Sequence, residues 1–321
     1  MRWNDAVAVA VAAVAASAIT SAACYQTPAP APPPAAMPEN RAHARIAADP
    51  LGFLPIDAEV VAHLDAQQLR RSDVWQRFEP MILAKVGPSL AQFHALCGFD
   101  PLIAVRRVSI GLKDVGGKPN AVIVVRGIER GALMGCIDRA LTKQPDAARV
   151  DRGIVTIPGA TGQPPTVLGF ADASTLVLMT GLGASVEALR AAFGAGAPLR
   201  SSPAFTELHA TLETRRPIWF VINGSSKLLD QAAGFGLKPR AVFGSVELST
   251  GLLVDVRMRL ETVDQAQQVA AMAQGQLGAV QGFVSKLEVT AADADVVLAL
   301  GMSPEQVETL TSLLAGSLGS P

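Results

Sequence analysis

Apolar and polar residues alternate along two runs in the second half of the chain, Val242–Leu248 and Leu252–Leu260. In the second run, Asp255, Arg257 and Arg259 fall on one side of an extended chain, and the apolar residues fall on the other. A period of two with one polar side is typical of an antiparallel sheet that has water on one face. The pattern therefore predicts two antiparallel strands joined by a short turn.

The spacing of apolar residues changes to a helical period at Thr262. Thr262 and Gln265 have the spacing of a capping box, and the helix is predicted to run to about Gln281. Its apolar stripe consists of Ala266, Val269, Ala270, Ala273 and Leu277.

Two further strands are predicted after this helix, near Val284–Thr290 and Asp295–Gly301. A last helix follows, with Ser303 as its N-cap and Pro304 at its first position. Its buried side is predicted to carry Val307, Leu310 and Leu314.

The first half of the chain has the same order of elements. Strands are predicted at Val108–Leu112, Asn120–Arg126, Gly153–Ile157, Val167–Phe170 and Thr175–Thr180. Helices are predicted at Glu129–Leu141 and Ser185–Phe193. Each half is introduced by one more strand, Glu59–Asp65 in the first and Pro217–Asn223 in the second.

This order predicts an α+β fold made of two pseudo-repeats, residues 51–200 and 201–321, each an antiparallel β-sheet backed by amphipathic helices. The pattern leaves open whether the two sheets join into one or face each other across a groove.

The first 24 residues have the layout of an export signal. Arg2 lies in a short positive segment, and an uncharged Ala/Val-rich run extends from Ala6 to Ile19, which is short for a membrane span. Small residues then lead directly to Cys24 in the sequence Ser21-Ala22-Ala23-Cys24.

This ending resembles the lipobox of bacterial lipoproteins, although Ser21 stands where leucine is usual in that family. The resemblance implies that residues 1–23 are removed and that Cys24 is acylated. Tyr25 and Gln26 follow in place of an aspartate, which in this family implies the outer membrane rather than the inner one. Cleavage by an ordinary signal peptidase, giving a secreted or periplasmic soluble protein, and an uncleaved anchor remain alternatives.

Residues 24–50 are rich in proline and alanine and have no apolar period, so they are predicted to form an extended tether or a plain linker.

The composition of the whole chain argues against two other classes of protein. Half of the residues are hydrophobic, which is too many for a disordered protein, and the net charge of −1 argues against nucleic acid as a partner.

The chain has three cysteines, and two remain once Cys24 is set aside. Cys97 falls where a helix is expected to end at Gly98, and Cys136 lies on the apolar stripe of the helix Glu129–Leu141. In an oxidising compartment this pair is predicted to form a disulfide; two buried free thiols are the alternative.

No constellation in the sequence predicts catalysis, a metal or a cofactor. His94 and Cys97 share a helix side, but no second ligand pair exists for zinc. The other histidines, His43, His63 and His209, are predicted to be ordinary packed or surface residues. The segment from Gly181 to Ser185 lacks the lysine of a phosphate-binding P-loop, so Ser185 is predicted to be a simple N-cap.

Arginine occurs in three adjacent pairs, Arg70-Arg71, Arg106-Arg107 and Arg215-Arg216. Acidic neighbours such as Asp73 and Glu213 predict solvated ion pairs for them. In the apolar strand Pro217–Asn223, Trp219 and Phe220 must point to opposite faces of the sheet.

These features predict a non-catalytic cell-envelope lipoprotein that binds another envelope protein and is held to the membrane through its N-terminal lipid. The alternative is a carrier of an apolar ligand such as a lipid, because small residues such as Ala266, Ala270 and Ala273 permit either close helix packing or a cavity. An enzyme would require His63, His94 or His209 to converge with carboxylates such as Asp65 or Asp100 in one cleft.

Overall fold

The computed structural model describes residues 49–159, 163–194, 199–230, 236–277, 282 and 284–309. The strands β1 to β12 are Val60–Asp65, Arg107–Lys113, Asn120–Arg126, Arg149–Asp151, Ile154–Ile157, Thr166–Phe170, Thr175–Thr180, Ile218–Asn223, Ala241–Glu247, Leu252–Arg259, Lys286–Ala292 and Asp295–Met302. The helices α1 to α7 are Ala66–Arg70, Asp73–Cys97, Pro101–Ala104, Arg130–Lys143, Val186–Phe193, Pro203–Ala210 and Val263–Gln274. Short 3-10 turns occupy Pro50–Phe53, Leu199–Ser201 and Lys227–Leu229, and 304–309 is helical.

The twelve strands form a single antiparallel sheet with the order β11-β12-β10-β9-β8-β1-β2-β3-β7-β6-β5-β4. The predicted α+β class with antiparallel strands is therefore confirmed, and of the two arrangements left open, the sheets join into one. The two halves meet where β1 pairs with β8, with His63 opposite Trp219. From this seam outward, the first half runs β1-β2-β3-β7-β6 and the second half runs β8-β9-β10-β12-β11.

The ends of several helices have the polar groups that the sequence predicts. In α7, the Thr262 hydroxyl accepts a hydrogen bond from the Gln265 N–H, while the Gln265 side chain accepts one from the Glu261 N–H. The Ser303 hydroxyl likewise accepts from the Gln306 N–H at the last helix. The rest of that helix, with the predicted buried residues Leu310 and Leu314, lies outside the described residues. Helix α7 ends at Gln274 with Gly275 as its C-cap, so the predicted end near Gln281 was too late in the chain.

Helix α2 is the largest element that the sequence analysis did not delimit. It spans 25 residues and contains two prolines, Pro80 and Pro88. Its C-terminus is where the sequence predicts it, because Gly98 takes a left-handed conformation with φ 77° and donates its N–H to the His94 carbonyl. Strand β4, a three-residue edge strand whose side chains are all exposed, was also missed.

Different helices cover the two faces of the sheet. Face A carries Val61, His63 and Trp219, and α5 and α6 pack on it over the first half and the centre. Face B carries Ala62 and Phe220, which alternate with the residues of face A. On face B, α4 packs over the first half and α7 over the second half.

Candidate functional site

The predicted disulfide between Cys97 and Cys136 is present in the structure. It joins the last residue of α2 to the middle of α4, with 4.4 Å between the two Cα atoms, and both side chains are buried. Arg139 on α4 adds hydrogen bonds from its guanidinium to the carbonyls of Leu96 and Cys97, at 2.7 and 2.8 Å. The end of α2 is therefore fixed to α4 both covalently and by hydrogen bonds.

The other cysteine and histidines that the sequence analysis considered lie in different places. Cys24 and His43 lie outside the described residues. His94 is exposed on α2, and its neighbour Cys97 is used in the disulfide, so that pair does not begin a metal site. Across the described ranges, no three histidine, cysteine or acidic side chains are grouped as metal ligands. The same ranges contain no helix long and apolar enough to cross a membrane.

His63 and His209 both contact the Trp219 indole on face A. The His63 imidazole is nearly parallel to the indole at 15°, with the ring centroids 5.3 Å apart. The His209 ring meets the indole edge-on at 85° and 5.1 Å. Because β1, β8 and α6 supply the three rings, sequence spacing alone could not bring them together.

His63 also contacts a serine, since Ser109 on β2 has its hydroxyl oxygen 2.9 Å from His63 Nδ1. A serine beside an imidazole is the pair used by nucleophilic enzymes. However, Ser109 is only 1% exposed, which leaves a substrate no access to it. Neither predicted carboxylate orients the imidazole, because Asp65 accepts from Arg107 Nε and from the Gln68 N–H, and Asp100 caps α3 through the Leu102 N–H.

Both histidines of this cluster are held neutral at pH 7. Burial lowers the pKa of His63 to about 4, against the attraction of Asp65 and with the help of the nearby Arg107 and Arg126. Burial also lowers the pKa of His209, and Arg200 acts in the same direction. An uncharged imidazole pair is therefore the resting state of this part of face A.

The three arginine pairs all lie at the end of the sheet where β1 ends and β2 and β8 begin. Arg215 forms the predicted solvated ion pair with Glu213, at 3.5 Å. The pairing suggested by Asp73 is not found for Arg70, which instead donates to the carbonyls of Leu102 and Val105 at 2.5 and 2.9 Å. The sequence therefore located these pairs at element ends but gave the wrong partner for Arg70.

The glycine segment before α5 acts as a turn, as predicted. Gly181 has φ 108°, and a Cβ there would lie 2.5 Å from Asn120 Oδ1, so the close approach to β3 requires glycine. The Ser185 hydroxyl accepts from the Ala188 N–H at 3.0 Å, which is an N-cap hydrogen bond.

The middle of face B has a strip of apolar side chains that are neither buried nor fully exposed. Trp219 and Phe220 point to opposite faces, as predicted: Trp219 is 3% exposed on face A, whereas Phe220 is partly exposed on face B. We define the central strip as Phe220 and five partly exposed apolar residues around it on the same face of β1, β8 and β9. These neighbours are Val60, Ala62, Ile218, Ile222 and Val242.

Helix α2 crosses the sheet on the side of the central strip. Its first residue donates its N–H to the Ser249 carbonyl in the β9–β10 turn, and its last residue is bonded to α4 on face B. Its apolar stripe Trp75, Phe78, Ile82 and Val86 is also only partly buried. Two incompletely buried apolar surfaces therefore lie on the same side of the sheet.

No protein-family model and no curated protein matches the sequence. Among solved structures, the chain is similar to TP0453 in crystal form I, with a TM-score of 0.52 and 12% identity over 83% of this chain and 97% of that one. Crystal forms III and IV of TP0453 give TM-scores of 0.52 and 0.50, at 12% and 11% identity over 82% of this chain and 98% and 96% of those chains. At this level of identity, the likeness to TP0453 is one of fold alone.

Proposed function

We propose that this protein is an exported bacterial lipoprotein, acylated at Cys24, with its folded body on the periplasmic side of the outer membrane. The signal-like residues 1–23, the lipobox-like Ser21-Ala22-Ala23-Cys24 and the Tyr25 that follows support this proposal. The proline-rich residues between Cys24 and the first described residue, Asp49, would serve as the tether.

Mass spectrometry of the protein from its native membrane tests the export proposal. We expect an N-terminal peptide that begins at an acylated Cys24, and a Cys24→Ala variant that is released from the membrane. A chain that retains residues 1–23, or an unmodified Cys24 on a membrane-bound protein, would overturn it.

We further propose that the body binds rather than catalyses, and that it presents the central strip to an apolar surface of another envelope protein. The observation that carries this proposal is the strip itself. Its six apolar side chains are contiguous and only partly buried, and contiguous apolar surface of this kind commonly marks interaction sites. Phe220, an aromatic residue at the centre of the strip, is the type of side chain that anchors interfaces.

The second candidate is a carrier of an apolar ligand such as a lipid, and the position of α2 favours it. Apolar residues of α2 and of the strip are both incompletely buried, which suits a ligand held between them. By contrast, Ala266 and Ala270 of α7 are 0% and 3% exposed, so the small residues of that helix serve close packing. The carrier proposal therefore depends on α2 and the strip.

A photo-crosslinking amino acid at position 220 distinguishes the two candidates. We expect irradiation of the membrane-bound protein to link position 220 to one defined envelope protein, whereas a lipid adduct would favour the carrier. The matched control is the same amino acid at position 290, where Thr290 is exposed on face A of the edge strand β11. Absence of any adduct at 220, or equal adducts at 220 and 290, would contradict both candidates.

We also infer that the sheet consists of two repeats, 51–200 and 201–321. The matching strand order on either side of the β1–β8 seam supports this inference. Two co-expressed fragments, 49–200 and 201–321, are expected to associate and to give the circular dichroism spectrum of the intact chain. If the two fragments do not associate when they are co-expressed, the proposed repeat boundary between residues 200 and 201 is wrong.

A further inference from the structure

The two halves of the sheet end differently at their outer edges. Strands β6 and β11 occupy matching positions, because each is the fifth strand from the seam in its own half. In the first half, β5 pairs with the outer side of β6, and β4 follows it. In the second half, the described sheet stops at β11, whose partner among the described strands is β12. Strand β11 therefore presents a seven-residue unpaired edge.

The strand register shows which backbone groups lie on this free edge of β11. The Leu260 N–H donates to the Ala294 carbonyl, so the even-numbered residues of β12 bond to β10 and the odd-numbered ones bond to β11. Their partners on β11 are its even-numbered residues. The N–H and carbonyl groups that point outward therefore belong to Leu287, Val289 and Ala291.

Helix α7 borders the free edge on face B, because Gln274 Nε2 donates to the Val289 carbonyl at 2.6 Å. Val263, Gln267 and Ala271 lie on the same side of the helix as Gln274, at helical spacing. We call these four exposed residues the α7 flank. The flank has no charged side chain, and its apolar member Val263 is 46% exposed.

The exposed surface of α7 as a whole carries little charge. Asp264 is the only charged residue of this twelve-residue helix. Helix α4, which packs on the same face over the first half, has four: Arg130, Asp138, Arg139 and Lys143. The centres of protein interfaces are depleted of charged residues relative to the rest of the surface. The α7 flank therefore has the composition of a contact surface, and it lies beside an unpaired strand.

We propose that a second copy of this chain pairs with the free edge of β11, antiparallel and about a two-fold axis at Val289. An axis perpendicular to the sheet keeps face B on the same side in both copies, so the two α7 flanks meet above the paired strands. A surface that meets its own copy is repelled if it is charged, and the uncharged flanks avoid this repulsion. The exposed Gln274 amide leaves the Val289 carbonyl to the incoming N–H.

Pairing centred on Val289 also suits the side chains of β11. Every outward N–H and carbonyl group of the strand meets a partner in this register. On face A, Lys286 lies opposite Ala292 of the second copy and Glu288 lies opposite Thr290, so like charges are not opposed. Sliding the second copy by two residues would instead place Glu288 opposite its own counterpart. Since the central strip lies on β1, β8 and β9, this proposal is independent of the proposed function.

Cysteine cross-linking of the full chain in detergent solution tests the pairing. In the variant with both Glu288→Cys and Thr290→Cys, each new cysteine faces the other type in the second copy. The opposed Cα atoms are expected about 4.5 Å apart, which a disulfide can span. We expect mild oxidation to give a disulfide-linked dimer. The matched control, Arg149→Cys with Asp151→Cys, has the same spacing on the opposite edge strand β4 and is expected to stay monomeric.

A matched pair of charge variants tests the helix contact. Val263→Lys places a charge on each of the two flanks where they meet, so we expect the dissociation constant of the dimer to rise about tenfold or more. Met272→Lys adds the same charge on the opposite side of α7, since nine residues correspond to a rotation of about 180°. It is expected to leave the constant unchanged. Sedimentation equilibrium measures both variants, and circular dichroism verifies that they fold.

Four results would overturn the proposal: a monomer at every concentration measured, a dimer that the cysteines at 288 and 290 do not link, equal cross-linking of the two cysteine pairs, or equal effects of the two lysine variants. A photo-crosslinking amino acid at position 290 would join two copies of the chain. That product has twice the mass of the chain, so it is distinct from an adduct with another envelope protein.

Discussion

The His63 imidazole lies almost parallel to the Trp219 indole, 5.3 Å between ring centroids, across the seam where β1 pairs with β8. This contact joins the two halves of the sheet at their only shared strand pair within the described sheet. The stability of this contact depends on whether the imidazole is protonated. Burial lowers the pKa of His63, so the ring that stacks on the indole is neutral at pH 7.

Acidification is expected to destabilise the protein between pH 6.5 and pH 4. The pKa of His63 is about 4 in the folded chain and 6.5 in the unfolded chain, so the unfolded chain binds the extra proton in this window. The free energy of unfolding should therefore fall by about 3 kcal/mol as the pH drops through it. Urea denaturation at pH 7, 5.5 and 4 measures the change.

The matched variants for this experiment are His63→Gln and His94→Gln. His63→Gln should lose most of the pH dependence, whereas His94→Gln, at an exposed position on α2, should keep it. An unchanged slope in His63→Gln would assign the acid sensitivity to other groups.

Removing the Trp219 side chain is expected to cost far more stability than removing its neighbour. Trp219 is 3% exposed and belongs to the core of face A, so Trp219→Ala should lower the free energy of unfolding by about 3–5 kcal/mol. Phe220→Ala, on the partly exposed central strip, should cost clearly less. Equal losses in chemical denaturation would mean that the strip is packed as tightly as the core.

Reduction of the Cys97–Cys136 bond should lower the free energy of unfolding but leave the protein folded. The cysteines are 39 residues apart, and opening a loop of that length corresponds to about 4 kcal/mol in the chain-entropy treatment. Denaturation with and without a reductant measures the loss. The double variant with serine at both positions serves as control, since its midpoint should not respond to the reductant.

Two glycine substitutions are expected to act in opposite directions. Gly127 has φ 112°, and a Cβ there would lie 2.1 Å from the Ala104 carbonyl oxygen, so Gly127→Ala should destabilise the protein by more than about 1 kcal/mol. Gly135 lies inside α4, where a Cβ meets only Arg139 Nη1 at 3.6 Å, and Gly135→Ala should stabilise by about 0.5–1 kcal/mol. Thermal unfolding of the two variants checks both signs.

Strand β8 was predictable because buried and partly exposed residues alternate along it, whereas β6 and β7 were predictable as short apolar runs that are buried at nearly every position. Helix α2 was not delimited, because Pro80 and Pro88 interrupt its pattern and its stripe is only partly buried. Strand β4 was missed because three exposed residues at an edge have no apolar face to detect. A repeating pattern of apolar residues arises only where one side of an element is buried, so elements with little buried surface are missed.

The candidate site was less predictable than the fold. His63, Ser109 and Trp219 lie on three different strands, and their contact depends on the register of β2, β1 and β8. The same register decides that Arg107 and not Arg106 lies beside His63. The sequence identified the arginine pairs and the histidines, but only the strand pairing shows which of these residues lie close together.

The position of Asp49 determines how the folded body would respond to force. Asp49 forms an ion pair with Arg200 and leads through the turn Pro50–Phe53 into β1, the strand beside the seam. Tension applied through the preceding residues would reach a strand that is hydrogen-bonded along both edges, to β2 and to β8. Extracting such a strand breaks two rows of hydrogen bonds together, whereas an edge strand such as β4 or β11 could be peeled away one bond at a time. A chain tethered at this point is therefore pulled at an interior strand, which resists extraction more than an edge strand would.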